Sequence, residues 1–197
     1  MFRLRGVSFR RAFLYVVLAV AVAAGGWGMY FIHVRHRLSV VTQGQVYKSG
    51  TMPPAEMAAV AQRLGLRTVI DLRTWVSGQD STNTTALAKI QAEGAALAAV
   101  GVRQICLPTP QVPTAATVAA FLKIMDDPAN RPVLIHCYHG IGRTELFTAI
   151  YHMEFEGWSN ERARRDTRFI LPGSSFSDTS EKGRFLMDYH HRVVPSN

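Results

Sequence analysis

The sequence predicts an α/β domain with a largely parallel central sheet flanked by helices, preceded by one N-terminal transmembrane helix. Three observations carry this reading. Short β-branched and apolar runs alternate with stretches whose apolar residues recur at helical spacing. Arg67–Leu72 and Pro132–His136 are apolar enough to be strands buried on both faces. Ala12–Ile32 is an uninterrupted run of 21 residues without a charge.

That run spans roughly 31 Å as a helix, enough to cross a hydrocarbon core. Tyr15 stands near one end, and Trp27 and Tyr30 near the other, as interfacial aromatic residues do. Four arginines precede the run, and Arg35 and Arg37 come after it, so the balance keeps the N-terminus in the cytoplasm. The expectation is a single-pass anchor over residues 1–40 and an independent domain over 41–197. In a Gram-negative cell that domain would lie on the periplasmic side of the inner membrane. The alternatives are export after signal cleavage at Ala21-Val22-Ala23, or a domain facing the cytoplasm.

Charge supports the division. The 197 residues carry 22 Lys+Arg against 14 Asp+Glu, a net +8. Six of those charges lie in residues 1–40, which hold no acid, leaving only +2 for the remainder. A nucleic-acid partner is therefore not expected. Two cysteines exclude a disulfide scaffold, and no zinc-finger spacing occurs.

Along the rest of the chain, Gln45–Lys48 reads as a short strand. Met52-Pro53-Pro54 opens a helix with Met57, Val60, Ala61 and Leu64 on one face, and Gly65 ends it. After the strand at 67–72, residues 73–83 read as a polar loop and an Ala-rich helix runs to about Val100. Val102–Leu107 is a strand. Three prolines make 108–113 irregular. A helix over Thr114–Asp127 precedes the strand Pro132–His136, and helices are predicted over about 144–157, 159–169 and 178–191.

Ligands in such sheets bind beyond the carboxyl ends of strands. The turn there is His136-Cys137-Tyr138-His139-Gly140-Ile141-Gly142-Arg143-Thr144, a Cys-x5-Arg loop entering a helix. Successive amides at a helix N-terminus form a cradle for a tetrahedral oxyanion. Gly140 and Gly142 are expected to supply positive φ and close backbone approach. Arg143 presents a planar fork to two phosphate oxygens. Cys137, below the cradle, is set up as a thiolate that attacks phosphorus and forms a phosphocysteine.

These residues resemble the cysteine-based protein tyrosine phosphatase superfamily, whose loop reads HCxxGxxR followed by Ser or Thr. Val46–Gly50 and Thr68–Arg73 are similar to the compact dual-specificity branch, particularly its bacterial members. The resemblance covers roughly residues 45–170. It implies Cys137 as nucleophile and Arg143 as the residue that binds phosphate and stabilises the transition state. It implies the amides of 138–142 as the cradle, and Thr144 as hydrogen-bond donor to the leaving thiolate. His136 would hold the loop and tune Cys137. No cofactor or metal is implied.

The chain departs from the family at the general acid, an Asp about thirty residues before the cysteine. Residues 94–125 contain no Asp or Glu. Asp80 and Asp178 are the weak loop-borne candidates, while Asp126 and Asp127 read as helix-end caps. Otherwise the leaving group needs no acid, as when it is itself a phosphate, or the protein is a catalytically weak phosphate binder. The substrate expectation is a phosphorylated protein, with membrane phospholipid or another non-protein phosphate, including polyphosphate, as the alternative. Glu145 is off-pattern and reads as a first-turn carboxylate. Arg162, Arg164, Arg165 and Arg168 form either a solvated face or an anionic docking patch. Asp71 and Arg73 read as structural ion-pair members. Cys106 is placed on the strand beside the active-site strand, close enough to Cys137 to consider a disulfide. The sequence assigns no oligomeric state.

Overall fold

The computed structural model describes residues 9–77, 81–167 and 176–192, and these divide into two units meeting between Arg37 and Leu38. The first is helix α1, Phe9–His33. Its Phe13, Leu14, Val16 and Leu18 are all exposed, and Arg10–His33 is long and apolar enough to cross a membrane.

The second unit is built on a five-stranded sheet of order β1-β2-β7-β3-β6. Its strands are β1 (Ser39–Thr42), β2 (Val46–Ser49), β3 (Thr68–Asp71), β6 (Arg103–Cys106) and β7 (Val133–His136). Every pairing is parallel except β1 with β2. The polar loop expected over 73–83 contains a two-residue hairpin, β4 (Val76–Ser77) and β5 (Ser81–Thr82).

Alternation of side chains along the strands sends successive residues to opposite faces. Val133 and Ile135 face α4 (Ala115–Asp126) and α5 (Arg143–Phe155), packing with Phe121, Leu146, Phe147 and Ile150. Tyr47, Val69 and Leu134 face α2 (Pro54–Leu64) and meet Met57, Val60 and Ala61, with Leu97 of α3 (Thr84–Ala99) closing that layer. Two cores result, one on each side of the sheet.

Helix ends obey local chemistry. Gly65 closes α2 in the left-handed conformation, φ 61°. Side chains of Asn83, Thr114 and Ser180 cap α3, α4 and α7 (Glu181–Met187) by accepting backbone N–H bonds. Helix α6 is Asn160–Thr167. The last helix is shorter than the expected 178–191, because the Ser180 cap delays its start and its helical bonds stop at Asp188.

Candidate active site

Strand β7 ends at His136, and side-chain parity sends this residue and the next to opposite faces of the sheet. His136 falls on the α2/α3 side with Leu134, while Cys137 joins the opposite core with Ile135. The loop then curls so that the Gly140 amide donates to Cys137 Sγ at 3.3 Å. Gly140 has φ 71°, and a Cβ there would lie 2.6 Å from Gly50 N and 2.7 Å from Ser49 C, so only glycine fits. Thr51, after β2, donates its amide to Tyr138 O (3.0 Å) and its hydroxyl to Cys137 O (3.3 Å), which props the loop from beneath. Gly142 differs from expectation: its φ is −105°, and its role is to leave space, since a Cβ would meet Lys182 Nζ at 3.1 Å.

Burial, the largest single influence, would push the Cys137 thiol up. The Thr144 hydroxyl, the amides of Thr144 and Gly140, and the Arg143 charge outweigh it, and the pKa falls below the ordinary thiol value. The buried Thr144 Oγ1 makes no hydrogen bond among the described residues, and its place beside the sulfur lets it favour the thiolate. Arg143 is held by one nitrogen, which donates to Leu72 O (2.7 Å) and Thr109 O (3.0 Å). The rest of its fork is left for an anion. Tyr138 is 55% exposed, and His139 packs edge-on against it. A cleft of about 450 Å³ runs from Tyr138 and Arg143 to Lys89 and Asn83; a second, of about 420 Å³, joins Tyr138 to Thr51 and Lys89. The larger groove of about 530 Å³ between α4 and α7 contains no residue of the loop.

Behind the loop lies a buried ionic cluster. Arg73 bonds both carboxylate oxygens of Asp71 (2.7–3.0 Å) and lies 3.0 Å from Glu93 Oε1. His136 Nε2 lies 3.0 Å from the same Glu93 oxygen, at ion-pair distance though off the line of a hydrogen bond. Gln104 donates to Glu93 at 3.0 Å. Burial disfavours the imidazolium, but Glu93 and then Asp71 outweigh it and raise the pKa of His136. Asp71, Glu93 and His136 offer donor atoms within 4.8 Å of one another, a set with metal-ligand chemistry. Arg73 already supplies the cation these carboxylates need, so a metal ion there would meet its charge. Glu93 did not stand out in the sequence; its spacing with Ile90 and Leu97, all buried, is the signal that marks it as inward-facing.

The other candidates fall elsewhere. Asp80 and Arg168 lie outside the described residues. Asp178 is 62% exposed and engaged by Arg164. Asp126 pairs with Arg192 at 2.8 Å, and Asp127 caps the short 3₁₀ turn Pro128–Asn130. Glu145 pairs with Lys48 at 2.6 Å. Arg162 stacks over Trp158 and Arg165 pairs with Glu161, so three of the four clustered arginines have local partners. His152 is buried, stacked on Trp158 and 2.6 Å from Glu156. Cys106 does not neighbour the active-site strand: β3 separates β6 from β7, and Asp71 is in register with both Cys106 and His136. Two strand spacings, about 9–10 Å, forbid a disulfide without breaking the sheet.

A mostly parallel sheet with a Cys-x5-Arg loop between β7 and α5 places this chain in the cysteine-based protein tyrosine phosphatase superfamily. Residues 34–181 match the family described as DSP-PTPase phosphatase fused to NAD+ kinase, and the chain belongs to that family. It is 30% identical over 125 residues to the dual specificity protein phosphatase TpbA of Pseudomonas aeruginosa, covering 60% of this chain and 47% of that protein. The chain thus spans about half the length of the curated relatives it matches. The crystal structure of P. aeruginosa TpbA superposes with TM-score 0.54 at 26% identity, over 75% of this chain and 82% of that one. The core catalytic domain of the PP-IP phosphatase SIW14 from S. cerevisiae shares the fold, with TM-score 0.56 at 21% identity over 78% and 85% of the two chains.

Proposed function

We propose that this protein is a cysteine-dependent phosphatase of the tyrosine and dual-specificity type, hydrolysing phosphomonoesters through a phosphocysteine. The observation that carries the reading is the Cys137 sulfur held by the Gly140 amide at 3.3 Å, with Arg143 locked on two carbonyls beside it.

In the first step the Cys137 thiolate attacks phosphorus while the ester P–O bond breaks, its electron pair leaving with the oxygen. The amides of 138–142 and the free side of Arg143 hold the equatorial oxygens, where charge gathers in the transition state. In the second step water attacks the phosphocysteine, and the S–P bond breaks with its pair returning to sulfur. Thr144 donates to that departing thiolate, and the proton lost by water passes to solvent. His136, through the Asp71–Glu93–Arg73 cluster, fixes the end of β7 from which Cys137 projects.

Exposed Tyr138 and Lys89 beside the loop suit an aromatic phosphoester on an acidic peptide. Lipid phosphate is the second reading, favoured by α1: its exposed apolar side chains and length of about 37 Å suit a membrane anchor. We place the enzymatic unit outside the cytoplasm on the arginine balance around that helix. The test is hydrolysis of an aryl phosphate by the full chain in detergent, with vanadate and with Cys137→Ser. Vanadate-sensitive turnover lost in the variant is expected; equal rates for both proteins would leave only a phosphate binder. Parallel assays on a phosphotyrosyl peptide and on vesicles carrying lipid phosphate assign the substrate class.

A further inference from the structure

The loop that bears the family's general acid is Leu107–Pro113 in this chain, and it has no carboxylate. In its place stands a pair formed across the fold. Gln111 Oε1 accepts a 2.6 Å bond from Lys182 Nζ, which reaches over from α7. The same nitrogen lies against the final glycine of the phosphate loop, 3.1 Å from where a Gly142 Cβ would sit, and 5.9 Å from the centre of the Phe176 ring. Glycine at 142 therefore admits the ammonium to the rim of the cradle.

Among the described residues no carboxylate pairs with Lys182; its contacts Gln111 and Phe176 are neutral, and the charged groups acting on it are Cys137 and Arg143. Partial burial is the main influence lowering its pKa; the Cys137 charge raises it, and that of Arg143 lowers it further. A half-buried cation set beside a second cation and tethered by an amide is stabilised when an anion arrives between them.

We infer that Lys182 is a further catalytic residue, held by Gln111 over the phosphate loop to neutralise charge on the leaving oxygen. The inference rests on the phosphatase reading above and supplies that reading's missing part. When Cys137 displaces the ester, the P–O electron pair stays on the departing oxygen. The Lys182 ammonium hydrogen-bonds that oxyanion as it forms, and the oxyanion takes its proton from water after departure. Poor leaving groups, which carry the most charge at this point, gain most from the contact; a group that departs as a stable anion gains least.

The experiment measures kcat/KM of the full chain in detergent for a series of aryl and alkyl phosphates of graded leaving-group acidity. Wild type, Lys182→Met, Lys182→Arg and Gln111→Leu are compared, with thermal denaturation as the folding control. Lys182→Met is expected to lose on the order of 10²-fold on the poorest leaving groups and to stay within a few-fold on the best. Lys182→Arg restores most of the loss, and Gln111→Leu steepens the dependence less than Lys182→Met does. An unchanged dependence, or one uniform loss across the series, overturns the inference while leaving the phosphatase reading intact. A wild type inactive on every ester overturns that reading and this inference with it.

Discussion

In the proposed reaction the Thr144 hydroxyl is one of the groups that favour the Cys137 thiolate. Burial drives Cys137 toward the neutral thiol, and Thr144, Gly140 and Arg143 together reverse it. A hydrogen bond to a charged group contributes about 1.5–3 kcal/mol. Thr144→Ala is therefore expected to slow alkylation of Cys137 by iodoacetamide at least about tenfold at pH near 6. The sign comes from the lowered pKa: thiolate persists to lower pH than in a free thiol, whose value is about 8.5, and the variant moves the alkylation profile toward higher pH. Cys106 is the internal reference, since partial burial and the Asp71 and Glu93 carboxylates push its thiol up. Mass spectrometry of the two peptides reads both rates in one sample. Cys137 labelling no faster than Cys106 below neutral pH would contradict the assignment. At this scale the phosphate loop was legible because its residue types are rarely combined. Lys182 was not legible: 45 positions separate it from Cys137, and its role depends on a side chain crossing from another helix.

Among the elements, β7 and α3 are coupled by the His136–Glu93 contact, in a cluster with Asp71 and Arg73 on the β3 side and Gln104 on β6. Removing one partner of a buried ionic cluster costs about 3–5 kcal/mol. Glu93→Gln should thus lower the Tm of this domain by on the order of 10 °C. Part of that difference depends on pH. His136 has its pKa raised by folding, so its pairing stabilises fully below the unfolded value of about 6.5 and is lost as pH climbs through the raised folded value. The Tm gap between wild type and Glu93→Gln should narrow above that range without closing, because the Arg73–Glu93 pair persists. A gap independent of pH would show that His136 stays neutral. Among the described residues the sequence located β2, β3, β6 and β7, of which β3 and β7 are buried along their whole length. Strand β1 escaped: Ser39–Thr42 stands at the sheet edge and gains its pairing solely from β2, antiparallel. The β4–β5 hairpin escaped because its strands have two residues each and pair only with one another.

Along the whole chain, the +8 charge falls into two parts: six arginines flank the uncharged span Ala12–Ile32, and the remainder of the chain is nearly neutral. The membrane proposal predicts that the full chain sediments with membranes and is released by detergent but not by high salt. A cytoplasm-dependent reporter fused to the C-terminus should be silent; release by salt, or an active reporter, would contradict anchoring or orientation respectively. Residue order alone determined the apolar span, the strand–helix alternation and the Cys-x5-Arg loop, because each is a local pattern whose physical meaning is carried by adjacent residues. Tertiary structure decided the features that depend on elements distant in the chain. Strand order set Cys106 apart from Cys137 by inserting β3, and side-chain parity sent His136 to Glu93 and Cys137 to the opposite core. Helix α7 brought Lys182 to Gln111 and the rim of the phosphate loop, at the place where the sequence held no acid. Such contacts come from packing between faces, and packing is fixed only when the sheet and its helices close around one another.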